Sequence, residues 1–191
     1  MKKIVIGLAG RLATGKGTVT RHLVEQYHAD KTRSSDPLPA TLDIFSIPQT
    51  RHHLDALSTF LRTTFGEDII AQAVKRYLAQ STAQVVIFDG VRLLVDVEMI
   101  RSFEHSLFIF TDTDQRIRYE RSVGRNENVG DDTMTFEEFC VKDSDEPQQQ
   151  IEALKEYADI VLDNNGATGE LSDQLMQKVD TRIDALLHTE E

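Results

Sequence analysis

A glycine-rich segment near the start of the chain carries the clearest chemical pattern. Gly10 to Thr18 reads Gly-Arg-Leu-Ala-Thr-Gly-Lys-Gly-Thr, and it directly follows a run of apolar residues. Glycines allow a backbone to wrap closely around a phosphate, with N–H groups pointing inward and the N-terminus of the next helix adding positive charge. The pattern Gly-x-x-x-x-Gly-Lys between a strand and a helix therefore predicts a phosphate-binding loop.

Within this loop, Lys16 is expected to reach the outer phosphates of a nucleotide. The hydroxyl residue that helps to hold magnesium normally follows the lysine, but here Gly17 follows it and Thr18 comes next. We therefore predict that Thr18 contacts the metal. The predicted nucleotide contacts of this segment are Gly10, Ala13, Thr14, Gly15, Lys16, Gly17 and Thr18.

Asp89 and Arg92 come at the end of another apolar run, Val85 to Phe88. In open α/β sheets, ligands bind outside the carboxyl ends of the strands, so both side chains are expected at the binding edge. A carboxylate there can hold magnesium through water, and a guanidinium fork fits a phosphate. The alternatives are a helix cap for Asp89 and a surface salt bridge for Arg92.

Four arginines, Arg116, Arg118, Arg121 and Arg125, form the one arginine-rich run of the chain. On a helix the last three share a face, and Arg116 is rotated away from it. A charged helix face is usually solvated, and we expect Arg116 and Arg118 at the surface. Arginine beside a transferring phosphoryl group stabilises transition-state charge, and we favour that catalytic role for Arg121 and Arg125.

Short apolar runs alternate with helical patterns along the chain, which predicts an α/β fold with a mostly parallel sheet of about five strands. The strands are expected at Lys3 to Leu8, Val85 to Phe88, Leu107 to Phe110 and Ile160 to Leu162, with a weaker one near Thr32 to Ser35. The helices are expected at Thr18 to Tyr27, Thr50 to Phe65, Ile69 to Leu78, Leu93 to Arg101, Gln115 to Val123 and Leu171 to Leu187. The apolar face from Leu54 to Phe65 is interpreted as core.

Residues 1–191 are expected to form a single domain, in which two segments interrupt the alternation. Residues 36–80 place helices between the second and third strands. Residues 125–150 are polar and acidic, which is typical of a mobile lid or of a solvated surface excursion. Within them, Thr135 to Glu138 is a capping box ahead of a short helix that ends near Cys140. The remaining stretches, 1–35, 81–124 and 151–191, form the core.

Composition limits the function classes. The chain has 191 residues and a net charge of -11, which disfavours a protein that binds long nucleic acids but not one that binds a small anion. Cys140 is the one cysteine, so no internal disulfide can form and a reducing, cytoplasmic compartment is expected. No apolar run is long enough to span a membrane, and the first residues predict a buried strand rather than a signal peptide.

The Gly-Lys-Gly-Thr order resembles that of the P-loop nucleoside monophosphate kinases, the adenylate kinase group. The resemblance continues in the segment Phe88-Asp-Gly-Val-Arg92 and in the arginine pair Arg121 and Arg125. Ala158 to Gly166 is similar to the last strand and adenine loop of dephospho-CoA kinases. The Asp-Gly-x-Arg form, the segment Phe-Glu-Glu-Phe and the Asn-Asn-Gly ending resemble most an archaeal group of adenylate-kinase-like proteins.

This resemblance implies a P-loop fold with an acceptor-binding helical insertion and a short lid, MgATP as the donor and a nucleoside monophosphate as the acceptor. It implies that Arg121 stacks on adenine, that Arg125 contacts its phosphates, and that the loop with Asn165 and Gly166 reads the base. It also implies that Arg62 and Arg92 grip the acceptor phosphate. The archaeal relatives have arginine where Lys142 stands before Asp143. The protein is expected to be a monomer or a homodimer.

Two alternatives stay open at this point. A hydroxyl acceptor, such as dephospho-CoA or a nucleoside, needs a carboxylate base, and Asp36 just past the second strand is the candidate. An adenylate-kinase-like ATPase switch in macromolecular assembly would keep the phosphate loop and the lid but could have a degraded acceptor pocket. Two arginines suited to a phosphate, Arg62 and Arg92, favour the monophosphate acceptor.

Overall fold

The structure is a computed structural model, and it describes residues 2–125 and 134–188. Its strands are β1 (Ile4–Ala9), β2 (Asp30–Arg33), β3 (Val85–Asp89), β4 (His105–Asp112) and β5 (Ile160–Asp163). Its helices are α1 (Lys16–Tyr27), α2 (Pro37–Ile44), α3 (Arg51–Phe65), α4 (Ile69–Gln80), α5 (Leu94–Arg101), α6 (Gln115–Arg125), α7 (Phe136–Asp143), α8 (Glu146–Ala153), α9 (Thr168–Gln174) and α10 (Thr181–His188). A 3-10 turn, Leu154–Tyr157, follows α8, and a π-helical segment, Leu175–Asp180, joins α9 to α10.

The five strands form one sheet in the order β2-β3-β1-β4-β5, and each of the four described pairings is parallel. Because the strands are parallel, their carboxyl ends meet at one edge of the sheet. Leu8 lies beside Asp89, and Asp89 lies beside Arg33. On the other side of β1, Ala9 lies beside Phe110. The loops that follow the strands therefore surround a common edge, and β1 with the glycine-rich loop is at its centre.

Helices cover both faces of the sheet. On one face, side chains such as Ile6 and Leu8 pack against α1 and against the helical segments after β5. On the other face, Val5 and Ala9 pack in a second cluster with residues of α4 and α5. Because both faces of the sheet are covered, consecutive side chains of the central strands are all buried. The central strands therefore have continuous apolar runs rather than an alternation of apolar and polar residues. This two-sided core fixes β1, and so it fixes the point from which the glycine-rich loop begins.

The α/β class and the predicted strands are confirmed, with one shift. The weak strand near Thr32 to Ser35 is observed at Asp30–Arg33, two residues earlier. β2 is an edge strand in which only Thr32 is buried, so it needs no apolar run. Its polar sequence, Asp-Lys-Thr-Arg, therefore gives a periodicity signal too weak to set its bounds.

The prediction that the Leu54 to Phe65 face is core is wrong. α3 contains no buried residue, and Phe60 and Phe65 are 56% and 61% exposed. The reason is the place of the helix in the fold, because α3 packs on α2 and α4 within the insertion and not on the sheet. Phe60 and Phe65 contact each other edge to face, with ring centroids 6.1 Å apart.

The described half of the segment 125–150 is helical. The predicted capping box is confirmed, since the Thr135 hydroxyl accepts from the Glu138 N–H and the Glu138 carboxylate accepts from the Thr135 N–H. The helix continues past Cys140 to Asp143, and it buries Phe139 and Asp143 against the body of the protein. These two side chains anchor the helix, while most of the other described side chains of this segment are exposed. Closure over a ligand stays a prediction.

The helix expected at Leu171 to Leu187 is confirmed, and it contains a π-helical stretch in its middle. α9 and α10 flank the π-helical segment Leu175–Asp180, in which Leu175 and Val179 are buried under the sheet. Across the described residues, no helix combines the length and the apolar character needed to cross a lipid bilayer.

Candidate active site

The glycine-rich loop connects β1 to α1 through a backbone that glycine alone permits at two positions. Gly10 has a φ of +147° and Gly15 a φ of +99°, both in the region that L side chains avoid. A Cβ atom at Gly10 would lie 2.3 Å from the Thr111 hydroxyl, and one at Gly15 would lie 2.2 Å from the Asn164 amide nitrogen. Ala13 also has a positive φ, of 61°. The loop is therefore tightly wrapped and closely packed from outside.

Hydrogen bonds from neighbouring strands hold the middle of this loop. The Thr14 hydroxyl lies 2.7 Å from the Thr111 hydroxyl, and the Thr14 carbonyl accepts from the Thr113 hydroxyl at 3.2 Å. The same carbonyl accepts from the Asn164 amide at 2.9 Å. Thr111, Thr113 and Asn164 are all buried. The sequence analysis did not identify Thr111 and Thr113. Their position at the carboxyl end of an apolar strand could have indicated that they lie near the site.

Lys16 lies at the first position of α1 and folds back over the loop. Its ammonium group donates to the Gly10 carbonyl at 2.7 Å and to the Arg11 carbonyl at 2.8 Å. The oxygens of a bound phosphate would compete with these two carbonyls for the ammonium group. Gly17 and Thr18 follow in the exposed first turn of the helix. The loop and the first turn of α1 thus contain a lysine, a helix N-terminus and a hydroxyl, which are the groups of a phosphate site.

Asp89 is the last residue of β3, at the carboxyl edge where the sequence placed it. Its side chain is 12% exposed, and its Oδ2 lies 3.7 Å from the Arg33 Nε. The Gly90 and Val91 N–H groups donate to the Leu8 carbonyl, which keeps the loop after β3 against β1. Sequence analysis did not single out Arg33, because the shifted bounds of β2 hid its place beside Asp89.

These residues fit a magnesium ion that is held chiefly by phosphate and water. Magnesium uses one or two protein oxygens together with substrate phosphates, and Asp89 and the Thr18 hydroxyl are oxygens of that kind. Within residues 2–125 and 134–188, no group of three histidine, cysteine or acidic side chains is placed to bind a metal alone. The donor set therefore suits a metal that arrives with the nucleotide.

The charges of Arg62 and Arg92, the predicted acceptor residues, both act on Asp96. This carboxylate is 2% exposed, and it accepts from the Arg92 and Leu93 N–H groups, both at 3.1 Å. Burial raises the pKa of Asp96, and this effect outweighs the two backbone hydrogen bonds and the positive charges of Arg62 and Arg92. Two guanidinium groups are thus brought near one buried carboxyl. Asp96 was missed, although it stands in the first turn of α5.

The side chain of Arg62 contacts its own loop, donating to the Glu67 carbonyl at 2.7 Å. Arg92 is exposed. A groove of about 660 Å³ opens between α2, α3 and α4, with Leu38, Leu61 and Ile70 among its walls. The predicted acceptor side therefore combines an exposed arginine, a hydrogen-bonded arginine and an apolar groove.

Asp36 has a local structural contact at the end of β2. Its Oδ2 accepts from the Arg33 N–H at 2.7 Å and from the Thr32 hydroxyl at 3.3 Å. The carboxylate thereby fixes the turn from β2 into α2, and Asp36 itself is exposed. A role as base for an acceptor hydroxyl would require this carboxylate to give up these contacts.

The arginines of α6 differ from one another in their surroundings. Arg121 is half-buried and donates to the Asn164 carbonyl at 2.9 Å, which places it against the loop after β5. Arg116 is exposed as predicted, and it pairs with Glu120 at 3.1 Å. The side chain of Arg125 lies outside the described residues.

The prediction that Arg118 lies at the surface is wrong. Its side chain is 3% exposed, and it donates two hydrogen bonds to the carboxylate of Asp143. Its Nε also donates to the Thr113 carbonyl at 3.0 Å. The physical reason is a partner distant in sequence, because a carboxylate from α7 supplies the counter-charge that allows an arginine to be buried.

Two asparagines of the loop after β5 connect the glycine-rich loop with the segment that precedes α6. Asn164 donates to the Thr14 carbonyl, and the Asn165 side-chain oxygen accepts from the Asp114 N–H at 2.7 Å. The Asn165 amide donates to the Asp163 carboxylate at 2.8 Å. Gly166 follows in an exposed position. Because both asparagine side chains have structural partners, recognition of a base at this loop would use the backbone around Asn165 and Gly166.

Comparison with known proteins supports the resemblance predicted from the motifs. No family model matches the chain. A UPF0200 protein of Thermococcus kodakarensis is 32% identical over 142 residues, which cover 72% of this chain and 76% of that protein. A UPF0200 protein of Methanoculleus marisnigri is 26% identical over 90% of this chain and 92% of that protein. A uridine kinase of Deinococcus deserti is 27% identical over 96% of this chain and 98% of its own.

Solved structures with the same fold include kinases. A gluconokinase from Sinorhizobium meliloti superposes with a TM-score of 0.58 at 15% identity, over 99% of this chain and 98% of its own. A shikimate kinase from Bacteroides thetaiotaomicron gives 0.55 at 13% identity, over 97% and 99%. These similarities confirm the P-loop kinase fold. The identity to the Thermococcus protein goes further: the chain belongs to the UPF0200 family.

Proposed function

We propose that this protein is an ATP-dependent kinase that transfers the γ-phosphoryl group of MgATP to a nucleoside or deoxynucleoside monophosphate. The observation that carries the proposal is that one buried carboxyl, Asp96, is held by the Arg92 and Leu93 N–H groups after β3 and is acted on by the charges of both Arg62 and Arg92. Two guanidinium groups from separate elements suit an anion with several oxygens. A phosphate acceptor is such an anion, and it needs no general base.

On the donor side, the loop from Gly10 to Gly15 would hold the phosphates of ATP on its N–H groups. Lys16 would exchange the Gly10 and Arg11 carbonyls for phosphate oxygens and so neutralise charge that develops during transfer. Magnesium, when bound with the nucleotide, would withdraw charge from the phosphates. Asp89 and Thr18 would hold it, partly through water.

Arg121 would support the adenine end of the same nucleotide. It already contacts the loop after β5 through the Asn164 carbonyl, so a base placed beside Asn165 and Gly166 would lie next to its guanidinium plane. A planar cation can stack on a base. In the acceptor half, Arg92 and Arg62 would bind the monophosphate, and catalysis would consist of positioning and charge neutralisation.

A second candidate, phosphorylation of a nucleoside hydroxyl, is favoured by one observation. The uridine kinase of Deinococcus deserti matches nearly the whole chain. That reaction needs a base, for which Asp36 and Asp89 are the carboxylates at the correct edge. Both have partners, since Asp36 holds the β2 turn and Asp89 faces Arg33. We therefore rank the hydroxyl acceptor second.

An acceptor panel separates these possibilities. The protein would be given MgATP together with single nucleoside monophosphates, deoxynucleoside monophosphates, uridine and other nucleosides, or dephospho-CoA, and ADP release would be measured. The proposal expects fast release with one monophosphate class. Fast release with a nucleoside alone would favour the hydroxyl kinase. Slow release that no acceptor changes would contradict both and would indicate an ATPase switch.

A further inference from the structure

A buried cluster of charged groups lies behind the phosphate loop, and the proposed phosphoryl transfer does not use it. At its centre is Asp143, the last residue of α7, with a side chain 2% exposed. Its carboxylate accepts from Arg118 at 2.5 and 2.6 Å, from Arg11 at 2.8 Å and from Gln115 at 3.0 Å. Glu152 of α8 completes the cluster, 3.1 Å from the Arg11 Nε. We call these five residues the Asp143 cluster.

The charges of the Asp143 cluster are balanced. The cations Arg11 and Arg118 face the anions Asp143 and Glu152. Burial alone would raise the pKa of Asp143, but the hydrogen bonds and charge of Arg118, with Gln115 and Arg11, hold that pKa below its usual value. Asp143 is therefore ionised at neutral pH. The Arg11 guanidinium is paired with two carboxylates, Asp143 and Glu152, and we therefore do not assign it to phosphate binding.

The backbone of Arg11 belongs to the phosphate loop. Its carbonyl accepts from the Lys16 ammonium at 2.8 Å and from the Thr14 hydroxyl at 3.0 Å. The side chain of Arg11 thus reaches outward to α7 and α8, while its carbonyl faces the proposed phosphate site. A continuous path of hydrogen bonds runs from Asp143 to Arg11 and from Arg11 to Lys16.

We infer that Asp143 is a positioning residue for the nucleotide: through the side chain of Arg11 it fixes the part of the phosphate loop that follows Gly10. α7 thereby sets the shape of the donor site without contacting the nucleotide. A loop that is ordered before binding pays less conformational entropy when phosphates enter it. This inference rests on the proposed use of the loop for the phosphates of ATP.

Arg11→Ala is the direct test because the fold should survive it. Asp143 keeps Arg118 and Gln115, and Glu152 is already 41% exposed. We expect about tenfold weaker binding of MgATP, measured by displacement of a fluorescent ATP analogue without acceptor. Adenosine, which has no phosphate, should bind as it does to the unaltered protein. A general structural defect would weaken both ligands and lower the unfolding midpoint.

The matched control is Arg182→Ala, which removes an exposed arginine of α10 and should leave both affinities unchanged. A second variant, Asp143→Asn, should also weaken MgATP. Since it deprives the buried Arg118 of its counter-charge, it should lower the unfolding midpoint as well. A double variant combines Arg11→Ala with Asp143→Asn. If Asp143 acts through Arg11, the affinity of this double variant for MgATP should be no lower than that of the weaker-binding single variant.

The outcomes separate this inference from the proposed function. Unchanged MgATP affinity in Arg11→Ala, or losses that add in the double variant, would overturn the positioning role. If the affinity falls as expected but no monophosphate is phosphorylated, the positioning role stands and the proposed acceptor is wrong. Failure of the unaltered protein to bind MgATP would overturn both.

Discussion

The donor and acceptor halves of the candidate site are built in opposite ways. The phosphate loop is enclosed, with Thr14 bonded to the ends of β4 and β5, and Lys16 held on loop carbonyls. The acceptor insertion is open, since α3 buries no residue and Phe60 and Phe65 are more than half exposed. The proposed donor half is therefore held by many contacts from neighbouring strands, and the proposed acceptor half is more exposed to solvent.

Two buried carboxyls show the same contrast in their electrostatics. In the Asp143 cluster, two arginines saturate the carboxylate and hold its pKa below the usual value despite burial. In the acceptor half, burial raises the pKa of Asp96, because Arg62 and Arg92 act on it without direct side-chain hydrogen bonds. A saturated carboxylate fixes its partners. An undersaturated one, such as Asp96, does not hold the side chains of Arg62 and Arg92 by hydrogen bonds.

The largest effect is expected for Lys16→Ala. Removing the ammonium should lower turnover by at least about a thousandfold, since it neutralises transferring phosphate charge. The ammonium donates to the carbonyls of Gly10 and Arg11 within the same loop, so the unfolding midpoint should change little. Steady-state kinetics and thermal unfolding on one preparation test this, and a folded variant with full activity would show that the loop is not the donor site.

Gly15→Ala tests how tightly the donor loop is packed. A side chain at a φ of +99°, with Asn164 only 2.2 Å from the new Cβ atom, should cost about 2–3 kcal/mol and weaken MgATP binding. Gly169→Ala is the matched control, because it lies in α9 with no atom within 4 Å of the added carbon. That variant should be neutral or up to about 1 kcal/mol more stable. Equal effects in denaturant unfolding would refute the difference in packing.

Arg92→Ala tests the acceptor half. We expect the acceptor KM to rise by about 10- to 100-fold, which corresponds to about 1.4–2.7 kcal/mol, while the KM for ATP stays constant. Arg62→Ala should act in the same direction. Because Arg92 is exposed, stability should be unaffected. A rise in the KM for ATP with unchanged acceptor dependence would move Arg92 to the donor side.

The smallest effect concerns pH and Asp96. A folded pKa above the unfolded value means that the native state binds the extra proton, so stability decreases as pH rises from about 4 through the raised pKa. Asp96→Asn keeps an oxygen for the Arg92 and Leu93 N–H groups and should remove this slope, by about 1.4 kcal/mol for each unit of raised pKa. Parallel urea unfolding curves of both proteins between pH 4 and 8 measure it, and identical slopes would contradict the undersaturated carboxyl.

The sequence predicted most of the fold around the glycine-rich loop, because its signals are local. Gly10 to Thr18 is contiguous, and the apolar runs of β1, β3 and β4 identify buried parallel strands. Asp89 could be placed at the correct edge because it directly ends such a run. Strand β2 was misplaced by two residues because an edge strand needs no apolar pattern.

The remainder depends on contacts between distant residues. Arg118 and Asp143 are 25 positions apart, and no rule of sequence spacing pairs them. From the sequence alone, Arg118 could therefore not be distinguished from a surface arginine. The periodicity of α3 shows that the helix has an apolar face but not what the face contacts. The closeness of Arg62, Arg92 and Asp96 likewise follows from packing of the insertion against α5 and could not be read from any local motif.

The destination of the γ-phosphoryl group tests the central claim most directly. The protein would be incubated with ATP labelled in the γ-phosphate, magnesium and the best monophosphate of the panel, and the label would be followed into products. Phosphoryl transfer predicts that the label accumulates in a nucleoside diphosphate made from the acceptor. Label found only in inorganic phosphate, at a rate independent of the acceptor, would contradict the account.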